Sequence, residues 1–269
     1  MQKEPLCPEG KAVNKILPIL LPLLLLVAGC NKSDNQQQAQ TETNSEQVQS
    51  QPNQDAEQAQ QASEQPPSAQ SRQMEMLEAF EKLGGEVIEK VDDGNVVALD
   101  FRKTEINDAG LAHLQELSSL KSIDLGRTDV SDASLLHLQG LTHLKRLILS
   151  GTKVSDAGLV QLKELTSLEM LGLSDTQIGD VGLSHLTGLT ELHSLLIIST
   201  RVSDKGLKSL AGLKNLETLW LSGTKVTDVG LVHLKALTKL KRLNLYATAI
   251  TDAGAADLQQ SLPDCKIGR

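Results

Sequence analysis

The sequence predicts an α/β solenoid of about seven turns, and three observations predict it. A period of 24 residues runs without gaps from Val96 through Leu120, Leu144, Leu168, Leu192, Leu216 and Leu240. Within each period the first part alternates, as a half-buried strand does, and the closing part recurs at three and four, as a helix does. The aliphatic supply is also uniform. Only four of the 269 residues are aromatic, Phe80, Phe101, Trp220 and Tyr246, against abundant leucine, the composition of a short unit used many times over.

In chain order, the first element is a leader. Lys3, Lys11 and Lys15 precede an apolar run from Ile16 to Gly29, shorter than the roughly 20 residues of a membrane-spanning helix. A basic start, a short apolar stretch and small residues at its end predict a secretory signal peptide over residues 1–29. Val27-Ala28-Gly29-Cys30 resembles the lipobox of bacterial lipoproteins. That resemblance implies cleavage before Cys30, a diacylglycerol on its sulfur and a chain anchored in the cell envelope. Asn31, rather than aspartate, implies the outer membrane.

Residues 30–72 then read as a tether. Thirteen glutamines lie between Asn31 and Arg72 among Ser, Asn, Glu and Pro, too polar to repay the entropy of ordering. A flexible chain of this length reaches roughly 35 Å. Residues 73–95 form an N-terminal cap: an amphipathic helix from Gln73 to Leu83 presents Met76, Leu77, Phe80 and Leu83, Gly84-Gly85 end it, and a strand follows over Glu86 to Val91.

The repeats occupy residues 96–262 with the pattern L-x-x-L-x-L-x-x-T-x-V/I-S/T-D-x-G-L-x-x-L-x-x-L. In the unit opening at Leu144, Leu147 and Leu149 point inward from a short strand, Val154 closes a turn, and Leu159, Leu162 and Leu165 share a helix face. One unit cannot bury that face alone, so stability comes from stacking. Threonine fills the ninth position of every unit, from Thr104 to Thr248, where a hydroxyl can satisfy loop backbone. Aspartate fills the thirteenth, from Asp108 to Asp252, usually after Ser, Thr or Asn, and reads as a helix-start cap. Single carboxylates one per turn are poor geometry for calcium. Glycine holds the fifteenth position in six of seven units, Ser134 being the exception, which predicts a close approach between elements.

Seven T-D-x-G-L units resemble the leucine-rich-repeat superfamily, most closely a bacterial subclass. The resemblance covers residues 96–262 and implies a right-handed solenoid with parallel strands on the concave face and helices on the convex face. Thr stands where many members have Asn. Residues 263–269 read as the C-terminal cap, with Pro263 stopping the last helix, Ile267 in the place of a core leucine, and Cys265 as a small buried apolar residue.

Function is to be sought where the strands face away from the core, at the third, fifth and seventh positions. The fifth runs Asp100, Asp124, Ile148, Gly172, Leu196, Trp220, Asn244. The chain's one Trp and one Tyr fall on this face beside Leu196 and Ile198, and aromatic residues with Arg dominate interface energies. We therefore expect a protein- or peptide-binding surface at Met170, Leu196, Ile198, Trp220, Arg242 and Tyr246, flanked by a charged patch at Asp100, Arg102 and Asp124. Sugar stacking on Trp220 and Tyr246, as in a carbohydrate or cell-wall binding module, is the alternative.

A net charge of −8 argues against nucleic acid as a partner. Cys7, Cys30 and Cys265 are too few and too scattered for a zinc site or a disulfide framework. His113, His137, His185 and His233 share the eighteenth position, on the convex side, with no base, nucleophile and anion-stabilising group converging on a pocket. The expectation is a binding scaffold with no metal or cofactor, not an enzyme.

Overall fold

A computed structural model describes residues 69–90 and 95–269. The signal peptide, the lipidation site at Cys30 and nearly all of the tether lie outside the described residues. The described residues belong to one compact unit. Its sheet has nine strands, each hydrogen-bonded to the next in sequence: β1 (Glu86–Lys90), β2 (Val96–Asp100), β3 (Ser122–Asp124), β4 (Arg146–Ile148), β5 (Met170–Gly172), β6 (Ser194–Leu196), β7 (Thr218–Trp220), β8 (Arg242–Asn244) and β9 (Lys266–Gly268). β1 is antiparallel to β2 and every later pair is parallel. The register advances by one repeat per strand, so that Ile123, Leu147, Leu171, Leu195, Leu219, Leu243 and Ile267 form a single inward row.

The leucines of each turn meet those of its neighbours in one continuous core. Leu147, Leu149, Val154, Leu159, Leu162 and Leu165 are all fully buried. The convex side differs from the α-helices that the pattern predicts. In the first three turns it is 3₁₀-helical, over Asp108–Leu111, Leu114–Glu116, Ser134–Leu138 and Gly158–Leu162. The later turns carry short α-helices, α2 (Asp180–Ser184), α3 (Asp204–Leu210), α4 (Asp228–Leu231) and α5 (Asp252–Ser261). Leucines spaced by three, such as Leu159, Leu162 and Leu165, stack on one face of a helix with three residues per turn. The spacing therefore suits the tighter helix at least as well.

Both polar ladders hold the stack together. Each ninth-position threonine donates its hydroxyl to the carbonyl three residues back, as Thr128 does to Leu125 and Thr152 to Leu149, both at 2.6 Å. The aspartates do something the sequence did not suggest. Rather than capping its own helix, Asp180 accepts the Ser203 N–H at 2.7 Å, the Ser203 hydroxyl at 2.6 Å and the Gly206 N–H at 3.0 Å, all in the following turn. Asp132, Asp204 and Asp228 do the same to Ser155, Thr227 and Thr251. Each carboxylate is thus a staple to the next turn, satisfying backbone donors at the start of a neighbouring helix.

This staple explains the fifteenth-position glycines. A Cβ on Gly206 would stand 2.6 Å from Asp180 Oδ1, and one on Gly230 would stand 2.4 Å from Asp204 Oδ1. The exception fits the same account, because the Ser134 hydroxyl donates to Asp108 Oδ1. Gly110 has no carboxylate before it and instead receives Leu83 of the cap, 3.0 Å from where its Cβ would lie.

The cap helix, α1 (Ala69–Lys82), starts before the expected Gln73, inside the segment read as tether. Ala69, Gln70 and Arg72 favour helix without showing any apolar period, so the pattern begins later than the helix. Met76, Leu77 and Phe80 are buried, whereas Leu83 is partly exposed at the rim. The Phe80 and Phe101 rings meet edge to face at 5.2 Å. Gly85 lets them do so, since its Cβ would fall 2.2 Å from Phe101 Cε1. At the other end Cys265 is buried, and burial pushes its thiol up to about 11, which makes it an inert packing residue.

Candidate functional site: the concave sheet

A parallel ladder with one side chain in two turned outward leaves three open rows, one for each of the third, fifth and seventh repeat positions. Toward the C-terminal end the fifth-position row places Leu196 beside Trp220 and Trp220 beside Asn244. Trp220 is 38% exposed and Tyr246 55%. Leu196 and Ile198 are half-buried on the same face. Arg242 is exposed and gripped from below, its Nε and Nη2 donating to Thr218 Oγ1 at 3.1 and 3.0 Å. The expected aromatic and aliphatic cluster is thus brought together on β6 to β8. Met170 lies apart from it on β5, half-buried and in contact with the Arg146 guanidinium.

The N-terminal end is ionic and mutually satisfied. Arg102 donates from Nε to Asp100 Oδ2 at 2.8 Å and from Nη2 at 2.5 Å, a two-pronged pair, and its Nε stands 3.7 Å from Asp124. Arg146, which the sequence reading did not select, stands 3.8 Å from Asp124 on the other side. The Arg102 hydrogen bond holds the Asp100 carboxyl below its ordinary range. Asp124 goes the other way, because burial, with the neighbouring Asp100 charge, raises it against the lowering by the Gly126 N–H and the two arginines. Asp100, Arg102 and Asp124 therefore neutralise one another with Arg146, which leaves little free charge for a partner.

The free charge lies one residue further along. Every eighth position adopts a left-handed backbone: Lys103, Arg127, Gly151, Asp175, Ser199, Gly223 and Ala247, with φ between 52° and 72°. Only two of these are glycine, although left-handed geometry disfavours every other residue type. Lys103 and Arg127 are exposed, and among the described residues neither is ion-paired. With Gly126, Ile148, Ser150 and the carboxylates of Asp124 and Asp175 they line a shallow depression of about 280 Å³. The eighth position has no apolar period to mark it. In the sequence it shows only as a mixture of Lys, Arg, Gly, Asp, Ser and Ala at one repeat position.

The histidines do not converge. His113 is exposed beside Glu116, whereas His137, His185 and His233 are half-buried, and the His137 Nδ1 faces inward without a partner. Among the described residues no three His, Cys, Asp or Glu side chains are grouped to hold a metal ion. No helix there is long and apolar enough to cross a membrane.

Comparison with known proteins agrees with this architecture. A family model described as leucine-rich repeats in two copies matches residues 214–258, and a single-copy leucine-rich-repeat model matches residues 140–163 and 164–186. Among solved structures, internalin C2 of Listeria monocytogenes is similar at 29% identity over 65% of this chain and 70% of that one, with a TM-score of 0.54. Internalin F of the same organism is 26% identical over 55% of this chain, with a TM-score of 0.48; the match spans 47% of its length. No curated protein matches the chain. The fold is a leucine-rich-repeat solenoid with parallel strands on its concave face and helices on its convex face.

Proposed function

We propose that the chain is a lipid-anchored interaction scaffold of the bacterial envelope, not an enzyme, and that it captures a protein or peptide on its concave sheet. Leu196, Ile198, Trp220, Arg242 and Tyr246 form the anchoring end. One observation carries this reading: the chain's single Trp and single Tyr stand exposed together on the sheet face that the core does not use. Large aromatics left partly open to water give up part of the stability that full burial would bring, whereas they are the residues that most often dominate binding energy. The fold supports the same role, since a solenoid offers an extended open surface rather than an enclosed pocket.

In-cell photo-crosslinking from a benzoylphenylalanine at position 246 tests the binding face. A discrete protein adduct that disappears in Trp220→Ala supports the reading. An adduct indifferent to that change counts against it, and Trp220-dependent retention on peptidoglycan in place of a protein adduct would mean a cell-wall binding module. The anchor has a separate test. Cys30→Ser should release the protein from membranes and remove the mass of the lipid; unchanged membrane fractionation would exclude lipidation at that residue.

A further inference from the structure

We infer that Lys103 and Arg127 form an anion-recognition subsite and that the concave face takes an extended peptide with an acidic residue at one end and an apolar or aromatic residue at the other. This rests on the reading of the Trp220 end as a peptide-binding surface. Three observations carry it. First, both cations stand exposed at the left-handed eighth position of adjacent turns, a position that takes Gly, Asp, Ser and Ala in the other turns, so stacking does not call for a cation there.

Second, the neighbouring charges do not consume these two. Asp100 and Asp124 are engaged by Arg102, Arg146 and the Gly126 N–H, and Asp175, two turns on across Gly151, bounds the cationic stretch rather than pairing with it. Third, the surface between the two ends is low. Gly126, Ser150 and Ser174 line the seventh row and Gly172 the fifth, with Ile148 half-buried beside them, so small side chains predominate along the way.

Spacing fixes the length of the occupant. From the Arg127 turn to the Trp220 turn is four strand intervals of about 4.8 Å, or roughly 19 Å, which an extended chain covers in about six residues. The acidic group would then sit on Lys103 and Arg127 while the apolar side chain reaches Trp220 and Tyr246. The field of two unpaired cations over a shallow surface also steers an acidic partner inward, an effect that salt weakens.

Selection from a random dodecapeptide library on the full chain tests this. Enriched peptides are expected to carry Asp or Glu about six residues from Leu, Phe or Trp. With Lys103→Gly plus Arg127→Gly the acidic preference should vanish while the apolar preference stays. A peptide from the first selection should bind this variant about tenfold more weakly at low salt and about equally near 1 M salt. The variant should melt no lower than the parent, which separates a recognition role from a structural one. Peptides enriched for apolar residues without acid, or an acidic preference surviving the double substitution, would overturn the subsite and leave the Trp220 reading standing. No enrichment, or enrichment indifferent to Trp220→Ala, would overturn both.

Discussion

The two ends of the concave sheet share a backbone and differ in almost every outward side chain. On β2 to β4 the open rows hold Asp100, Arg102, Asp124 and Arg146, locked into ion pairs. On β6 to β8 they hold Leu196, Trp220, Tyr246 and Arg242, with the aromatic rings left open to solvent. Beneath both ends the inward rows are buried apolar residues, leucine in most turns. Stacking constrains only what crosses the boundary between turns. A repeat protein can therefore vary its recognition face from turn to turn at little structural cost, and the variation is where function is written.

Substitutions can break or sharpen that contrast. The largest effect is expected in the shared core between the two ends, where Leu171→Ala should lower unfolding free energy by about 2 to 5 kcal/mol in a denaturant titration. Trp220→Ala, which removes a ring that is 38% exposed, should cost less in that titration, about 1 to 2 kcal/mol, while costing about 2 kcal/mol or more of partner affinity by calorimetry. Gly206→Ala drives a methyl into the Asp180 staple and should cost about 1 to 3 kcal/mol. Lys103→Gly relieves a left-handed residue and should raise stability by about 1 kcal/mol or less.

The smallest effects are the two carboxylates of the ionic end, and they carry opposite signs. Asp100, held below its ordinary value near 3.8, contributes stability that is present above that value and lost as pH falls through its lowered folded pKa. Asp124, raised above the same ordinary value, contributes stability that is present below it and lost as pH rises through its raised folded pKa. At pH 7 Asp100→Asn should therefore lower the unfolding free energy slightly and Asp124→Asn raise it slightly, each by less than about 1 kcal/mol, with melting temperatures moving in the same directions. Both differences should shrink toward pH 3 in thermal melts. Shifts of the same sign would show that the ionic end does not titrate as its geometry implies.

The solenoid was legible in the sequence because a strict period reports stacking directly: Leu147, Leu171 and Leu195 recur in one row, and the strands align on them. The exposed cluster at Trp220 and Tyr246 was legible for the same reason, since alternation along a strand fixes which residues face out. Three features were not. The 3₁₀ character of the early turns depends on small differences in packing that a leucine spacing of three does not decide. The aspartates bond across 23 residues to the next turn, a long-range contact with no local signature, so they looked like ordinary caps. Arg102 was visible as a charge, but its engagement by Asp100, and hence the freedom of Lys103 and Arg127 beside it, depends on side-chain geometry.

The carboxylate staples give the stack a direction. The thirteenth-position aspartates from Asp108 to Asp228 reach forward to the next turn, whereas Asp252 is met by Arg269. The two faces of any turn are consequently unlike, one presenting an acceptor and the other donors, and a turn can join only head to tail. Excising or duplicating a block of 24 residues within the array should preserve every such junction, so that the length of the recognition surface can change in whole turns while the joints remain the same.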